Sequence, residues 1–226
     1  MPIALILFGI YNGSPWKNIY RLRSESECVK CIENNLKNIQ KLFPNEIIDL
    51  FLSTNSQGNE MDKSFQNKFN YKSSNFQEDL PIMCYNNYDN VHENDKWKMG
   101  DGYMSRCKKE LKGIELCLNY SKENNISYDY FIITRVDLLL LKELVESNIK
   151  LDNINIISEL ETEGYVCDNF YLLPVKYLND FYEIIKSFPE VHHKLKYILE
   201  DKFNVNYILN EKTLINDLSF YTLKRT

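Results

Sequence analysis

The sequence predicts a single α/β domain with a mostly parallel central sheet flanked by helices and a mixed sheet in its C-terminal half. Over residues 1–140, apolar runs of strand length alternate with segments of helical periodicity, which is typical of parallel strands joined by helices. The runs are continuously apolar, as expected for strands covered on both faces. The chain has 226 residues, with no repeat and no linker composition. We therefore expect one domain over residues 1–226.

The first half of the chain supplies most of the predicted parallel sheet. Strands are predicted over residues 4–10, 47–53 and 81–85, with a helix over 28–42 that Pro44 ends and a long helix over 102–124. Residues 54–79 are rich in Asn, Gln, Ser and Lys, and we expect a long surface excursion there with one short helix.

The second half is more broken and predicts shorter elements. Strands are expected over residues 128–134, 154–158, 170–173 and 205–209, with helices over 177–187 and 191–199. The strand at 128–134 is strongly apolar, yet Thr134, Arg135, Val136 and Asp137 follow before apolar residues resume. Charge in this position needs an explanation, because burying an unpaired charge is costly.

Composition excludes several classes of function. The formal net charge is -5 and the basic residues are scattered, which argues against nucleic acid as a partner. The apolar residues 2–10 are too few to span a bilayer, so no membrane span is expected. They also lack the basic segment of a signal peptide, so a signal peptide is not expected. Six cysteines without a dense disulfide or zinc pattern indicate a reducing compartment, and the predicted location is cytoplasmic.

Polar residues are expected to form a site at the carboxyl ends of the parallel strands, where open α/β sheets bind ligands. After the first strand, Tyr11, Asn12 and Gly13 are candidates to line a base and ribose pocket, although a plain tight turn is the alternative. Arg21 and Arg23 follow as candidate phosphate ligands.

The start of the long helix supplies further candidates for a diphosphate. Lys98, Ser105 and Arg106 flank the predicted N-terminus, and helix N-termini favour anions. Helix capping and simple solvation are the alternatives for these three residues.

Arg135 and Asp137 are two residues apart, so on a strand they would point to the same face. They could form a buried ion pair, but desolvation offsets most of the attraction in such a pair. A ligand site is the favoured interpretation. The aspartate is a hard oxygen ligand suited to Mg²⁺ or Mn²⁺, and the arginine can hold a phosphate with two hydrogen bonds.

The segment YDYFIITRVDL, residues 128–138, resembles the "YDyii.tRxDl" segment of small GT-A-type glycosyltransferase-like proteins from bacterial polysaccharide clusters and large DNA viruses. In that family the segment is a TRxD variant of the Asp-x-Asp signature. Two other features match: a first strand that runs into a polar turn and arginine, and a long helix before the TRxD strand. Residues 164–174, GYVCDNFYLLP, also resemble the family's "g..nDqfaig" segment.

The resemblance implies a GT-A-like fold and transfer of a sugar from a nucleoside diphosphate sugar, with UDP as the expected nucleotide. The acceptor would be a hydroxyl of a glycan or glycoprotein. Asp137 would coordinate Mn²⁺ or Mg²⁺. Arg135, with Arg21 or Arg23, would neutralise the leaving diphosphate, and Asp168 would contact the acceptor or act as general base. A turn or capping role is the alternative for Asp168.

Two other functions stay open. Arg135 replaces the first acid of the Asp-x-Asp signature, which fits a non-catalytic domain that binds a nucleotide sugar or carbohydrate. A nucleotidyltransferase would share the sheet and the carboxylate, but it normally needs a basic glycine-rich loop after the first strand. Here the glycines at 9 and 13 have no basic neighbour before Lys17, so this alternative ranks last.

Overall fold

A computed structural model of the chain describes residues 2–9, 25–56, 58–77, 101–187, 195–213 and 221–223. At residues 59, 101–106, 222 and 223 only the backbone is described. The predicted strand at 81–85 lies outside the described residues.

Helices and strands alternate along the described chain. The strands are β1 (Ile3–Gly9), β2 (Ile48–Asn55), β3 (Tyr71–Gln77), β4 (Tyr130–Arg135), β5 (Leu138–Leu140), β6 (Ile154–Ile156), β7 (Phe170–Pro174), β8 (Val205–Tyr207) and β9 (Tyr221–Leu223). The α-helices are α1 (Glu25–Leu42), α2 (Asn59–Gln66), α3 (Asp101–Asn124), α4 (Leu178–Ser187) and α5 (Lys196–Lys202), with short 3-10 helices at Leu144–Glu146 and Val175–Tyr177. Among these described helices, none combines the length and the apolar character that crossing a membrane requires.

The described strands form one large sheet and one small sheet. The large sheet has the order β3-β2-β1-β4-β7-β6-β8. Strands β1 to β4 run parallel, β7 is antiparallel to both β4 and β6, and β6 pairs in parallel with β8. The small sheet pairs β5 with β9 in antiparallel fashion. A mostly parallel sheet with a mixed C-terminal half is confirmed.

Helices cover both faces of the large sheet, and each face has its own apolar core. Successive residues of β1 point to opposite faces, which is why the strand is apolar along its whole length. Leu5 and Leu7 belong to the core that includes Ile32 of α1. Ile6 belongs to the second core, together with Ile114 of α3. Burial of each such side chain contributes about 1.5–3 kcal/mol relative to exposure.

Three parts of the secondary structure differ from prediction. The polar stretch 54–79 contains the expected short helix, α2, but Tyr71–Gln77 is a strand, the outermost of the described strands on that side of the sheet, and not part of a surface excursion. The three-residue strands β5 and β9 were not predicted. In the C-terminal part, the structure places a helix at Lys196–Lys202, whereas the prediction ended at residue 199 and its residues 191–194 lie outside the described part.

Asparagines of α1 fix the segment that follows Asp137. The side-chain amide of Asn35 donates to the backbone oxygen of Leu138 at 3.1 Å. The side-chain oxygen of Asn34 accepts from the backbone N–H of Leu140 at 3.0 Å. These side chains satisfy backbone groups of β5 and hold the strand against α1.

Helix α3 approaches β1 and β2 most closely at Gly113. A Cβ at this position would lie 2.7 Å from Cγ2 of Ile6 and 3.6 Å from Cβ of Ser53. We therefore expect Gly113→Ala to lower the free energy of unfolding. The better helix propensity of alanine, about 1 kcal/mol, offsets only part of an overpacking cost of about 1–3 kcal/mol. Urea unfolding measures the difference, and Lys108→Ala on the exposed side of α3 is the matched control. Stabilisation by Gly113→Ala would contradict the tight packing.

Candidate active site

The carboxyl ends of β1, β2 and β4 lie side by side. Gly9 is in register with Thr54, and Phe8 is in register with Arg135. The backbone N–H of Val136 donates to the oxygen of Phe8 at 2.9 Å, so the ladder continues one residue beyond β4. Three strand ends therefore form one edge, where an open α/β sheet binds its ligand.

Arg135 and Asp137 form a buried ion pair at this edge. Nε of Arg135 donates to Oδ1 of Asp137 at 2.8 Å, and Nη2 donates to Oδ2 at 2.8 Å. Asp137 is fully buried, whereas Arg135 is 9% exposed. The two residues do not share a strand, because β4 ends at Arg135 and Asp137 lies in the turn before β5. The turn nevertheless brings the two side chains together.

The guanidinium of Arg135 has a second edge. An arginine carries five N–H donors, and the pairing with Asp137 uses one on Nε and one on Nη2. Within the described part of the chain, no further partner of Arg135 is found. The edge formed by Nη1 and Nη2 has the geometry that binds a phosphate or carboxylate with two parallel hydrogen bonds. Asp137 thus holds one edge of the Arg135 guanidinium in place, and the Nη1–Nη2 edge is suited to binding an anion.

The described side chains do not by themselves form a site for a divalent cation. Both carboxylate oxygens of Asp137 accept hydrogen bonds from a cationic group. Over the described residues, no cluster of three or more His, Cys, Asp or Glu side chains is arranged to hold a metal. Divalent cations of the Mg²⁺ type prefer several oxygen ligands. The assignment of Asp137 as a metal ligand therefore stays a prediction.

Asp168 lies at the same edge as Arg135. It precedes β7, which pairs antiparallel with β4 so that Thr134 opposes Phe170. The hydroxyl of Thr134 donates to the backbone oxygen of Asn169 at 3.2 Å, which joins the two strand ends. Asp168 is 7% exposed. The structure therefore brings the predicted base to the strand end that carries Arg135.

The remaining predicted site residues lie at the start of α3 or outside the described part of the chain. Ser105 and Arg106 lie in the first turns of α3, as the sequence predicts, but their side chains are not described. The other candidates lie outside the described residues: Tyr11, Asn12, Gly13, Arg21, Arg23 and Lys98.

Sequence reasoning missed the residues that surround Asp168. The hydroxyl of Tyr221 accepts from the amide of Asn169 at 3.0 Å and from the thiol of Cys167 at 3.3 Å. Burial raises the pKa of the Tyr221 phenol and that of the Cys167 thiol, so both groups are neutral at physiological pH. Cys167 and Asn169 could have been suspected as neighbours of Asp168. Tyr221 carries no local signal, because it is 52 residues from Asn169.

Neither a scan against protein-family models nor a search of curated proteins finds a match to this chain. Among solved structures, many are distantly similar, and two serve as examples. One is the catalytic domain of Drosophila beta1,4-galactosyltransferase 7 in complex with xylobiose, with a TM-score of 0.47 and 10% identity. The other is a mutant of that enzyme in complex with manganese, UDP-Gal and xylobiose, with a TM-score of 0.43 and 11% identity. Each alignment covers 100% of this chain and 72% of the other. Both TM-scores are below 0.5, so this likeness is too distant to decide a function.

Proposed function

We propose that the protein is a glycosyltransferase that transfers a sugar from a nucleoside diphosphate sugar, with UDP as the expected nucleotide, to a hydroxyl of a glycan or glycoprotein. Hexosyl and pentosyl donors both fit this proposal. The observation that carries it is the buried Arg135–Asp137 pair at the carboxyl edge of the parallel strands. One edge of the Arg135 guanidinium is held, and the other can bind a diphosphate.

The proposed roles follow from charge and position. A leaving diphosphate gains negative charge in the transition state, and a prepositioned guanidinium stabilises that charge. Asp137 positions Arg135 through the two hydrogen bonds already described. Asp168 would accept the proton of the acceptor hydroxyl or bind that hydroxyl. Mn²⁺ or Mg²⁺ at Asp137 stays a prediction, so nucleotide binding and turnover are measured with and without each cation.

A second candidate function is a binding domain without turnover. The support for it is the ion pair itself, because a carboxylate whose two oxygens each accept a hydrogen bond from an arginine differs from the paired acids of an Asp-x-Asp signature. Such a domain would bind a nucleotide sugar with the same guanidinium and would not release the nucleotide.

Ligand binding is the first test. We expect UDP at 100 times its dissociation constant to stabilise the protein by about 2.7 kcal/mol. For a chain of this length, this shift corresponds to a melting temperature higher by roughly 5–10 °C. UMP, which lacks the second phosphate, is the matched ligand control and should give a smaller shift. GDP is included because the sequence does not indicate whether the donor nucleotide carries uracil or guanine. No shift with either diphosphate would contradict the proposed function.

Turnover separates the two candidates. The purified protein is incubated with UDP-sugars, with Mn²⁺, Mg²⁺ or EDTA, and released UDP is measured. Release by the wild type that Asp168→Asn strongly reduces would support the enzyme. Saturable binding of the UDP-sugars without release under any of these conditions would favour the binding domain.

A further inference from the structure

The C-terminal strand β9 lies beside the candidate site. It pairs antiparallel with β5, with Tyr221 opposite Leu140 and Leu223 opposite Leu138. Strand β5 begins one residue after Asp137. Strand β5 thus directly follows the ion pair in sequence and also pairs with β9.

The hydroxyl of Tyr221 joins the two neighbours of Asp168. The Tyr221 side chain is 6% exposed, and its oxygen accepts from Cys167 and from Asn169. The backbone of Cys167 is held independently, because its N–H donates to the oxygen of Ser158 at 2.9 Å. The residues before and after Asp168, Cys167 and Asn169, therefore both donate hydrogen bonds to the Tyr221 oxygen.

The contact continues to the strand that carries Arg135. Asn169 donates to Tyr221 through its side chain and accepts from the hydroxyl of Thr134 through its backbone oxygen. Thr134 directly precedes Arg135. A chain of hydrogen bonds thus runs from β9 through Asn169 to the end of β4, and it fixes the Asp168 segment relative to the guanidinium. Buried networks of this kind rigidify a site when their members are satisfied.

We propose that Tyr221 is a positioning residue of the site, whose hydroxyl holds the Asp168 segment against β4 and so couples docking of the C-terminal strand to turnover. This proposal rests on the proposed function. Removing the hydroxyl would take the acceptor from the buried thiol of Cys167 and leave the Asn169 amide with its longer contact to Sγ of Cys167, at 3.6 Å, which favours local opening of the segment. The donor side of the site at Arg135 would be unchanged.

The test compares Tyr221→Phe with Tyr207→Phe. Each change removes one hydrogen-bonded hydroxyl, but that of Tyr207 donates to Glu200 in a different part of the fold. For Tyr221→Phe we expect kcat to fall on the order of tenfold, because Asp168 is less well placed. The KM for the UDP-sugar donor should stay within about twofold, because the variant leaves the donor contacts at Arg135 in place. A loss confined to the transition state lowers kcat and kcat/KM by the same factor. Tyr207→Phe should change neither quantity.

The thiol of Cys167 gives a readout that does not depend on turnover. In Tyr221→Phe we expect a maleimide to label Cys167 about tenfold faster, which corresponds to about 1.4 kcal/mol of local opening. Peptide mass spectrometry separates Cys167 from the other buried cysteines, of which Cys117 is an internal reference. Unchanged kcat and labelling, or equal changes in both variants, would overturn the proposal. If the wild type has no turnover, the proposed function fails, and the labelling rates alone then support or overturn the role of Tyr221.

Discussion

Asp137→Ala is expected to lower the free energy of unfolding by about 3–5 kcal/mol, because it leaves a buried arginine without its counter-charge. This loss is large for a domain, whose total stability is about 5–15 kcal/mol. The Asp137 carboxylate is fully buried, whereas Arg135 is 9% exposed. Water therefore cannot easily replace the lost carboxylate. Urea unfolding followed by circular dichroism measures the effect.

The double variant Arg135→Met/Asp137→Ala separates stability from function. Replacing both members of a buried ion pair with uncharged residues is often neutral, so we expect this variant to recover most of the lost stability. It should not recover UDP binding, because the guanidinium is absent. Glu183→Ala is the control for an exposed pair, with Lys186 at 3.7 Å, and should cost less than about 1 kcal/mol. A double variant that binds UDP like the wild type would show that the pair is only structural.

The parallel half of the fold could be predicted because its strands are continuously apolar. Strand β3 was missed for the opposite reason. Its residues, Tyr71 to Gln77, are mostly polar, and among the described strands it lies at the edge of the sheet with most side chains partly exposed. An edge strand needs no apolar face of its own, so its composition resembles that of a loop.

The residues of the candidate site likewise fall into those that a local stretch of sequence suggests and those that it does not. Arg135 and Asp137 could be proposed because charge directly after an apolar strand is unusual in a local stretch of sequence, and Asp168 because residues 164–174 resemble a segment of a known family. Tyr221 could not be found, because its contacts join residues 52 and 54 positions apart. The asparagines of α1 were missed as well, since helical periodicity identifies apolar positions and these polar side chains bind β5 across more than 100 residues of sequence.

Arg135→Lys is expected to raise the dissociation constant for UDP about 10- to 100-fold, the equivalent of one lost charge-assisted hydrogen bond of about 1.5–3 kcal/mol. The change keeps the positive charge. A lysine ammonium, however, cannot hold Asp137 with one edge and a diphosphate with another. Calorimetric titration with UDP and UMP measures the effect. The loss should be larger for UDP, and the variant should bind the two nucleotides with similar affinity.

The same titrations decide which role Asp137 has. If Asp137 anchors the guanidinium, the wild type should bind UDP in EDTA as well as in Mn²⁺, and Asp137→Asn should weaken binding in both conditions. If Asp137 is the metal ligand that the TRxD segment predicts, UDP binding should require Mn²⁺. In that case Asp137→Asn would remove the response to Mn²⁺, and Arg135→Lys would keep it. The engagement of both Asp137 oxygens by Arg135 at 2.8 Å favours the first outcome, since a cation at Asp137 would compete with the guanidinium for the same carboxylate.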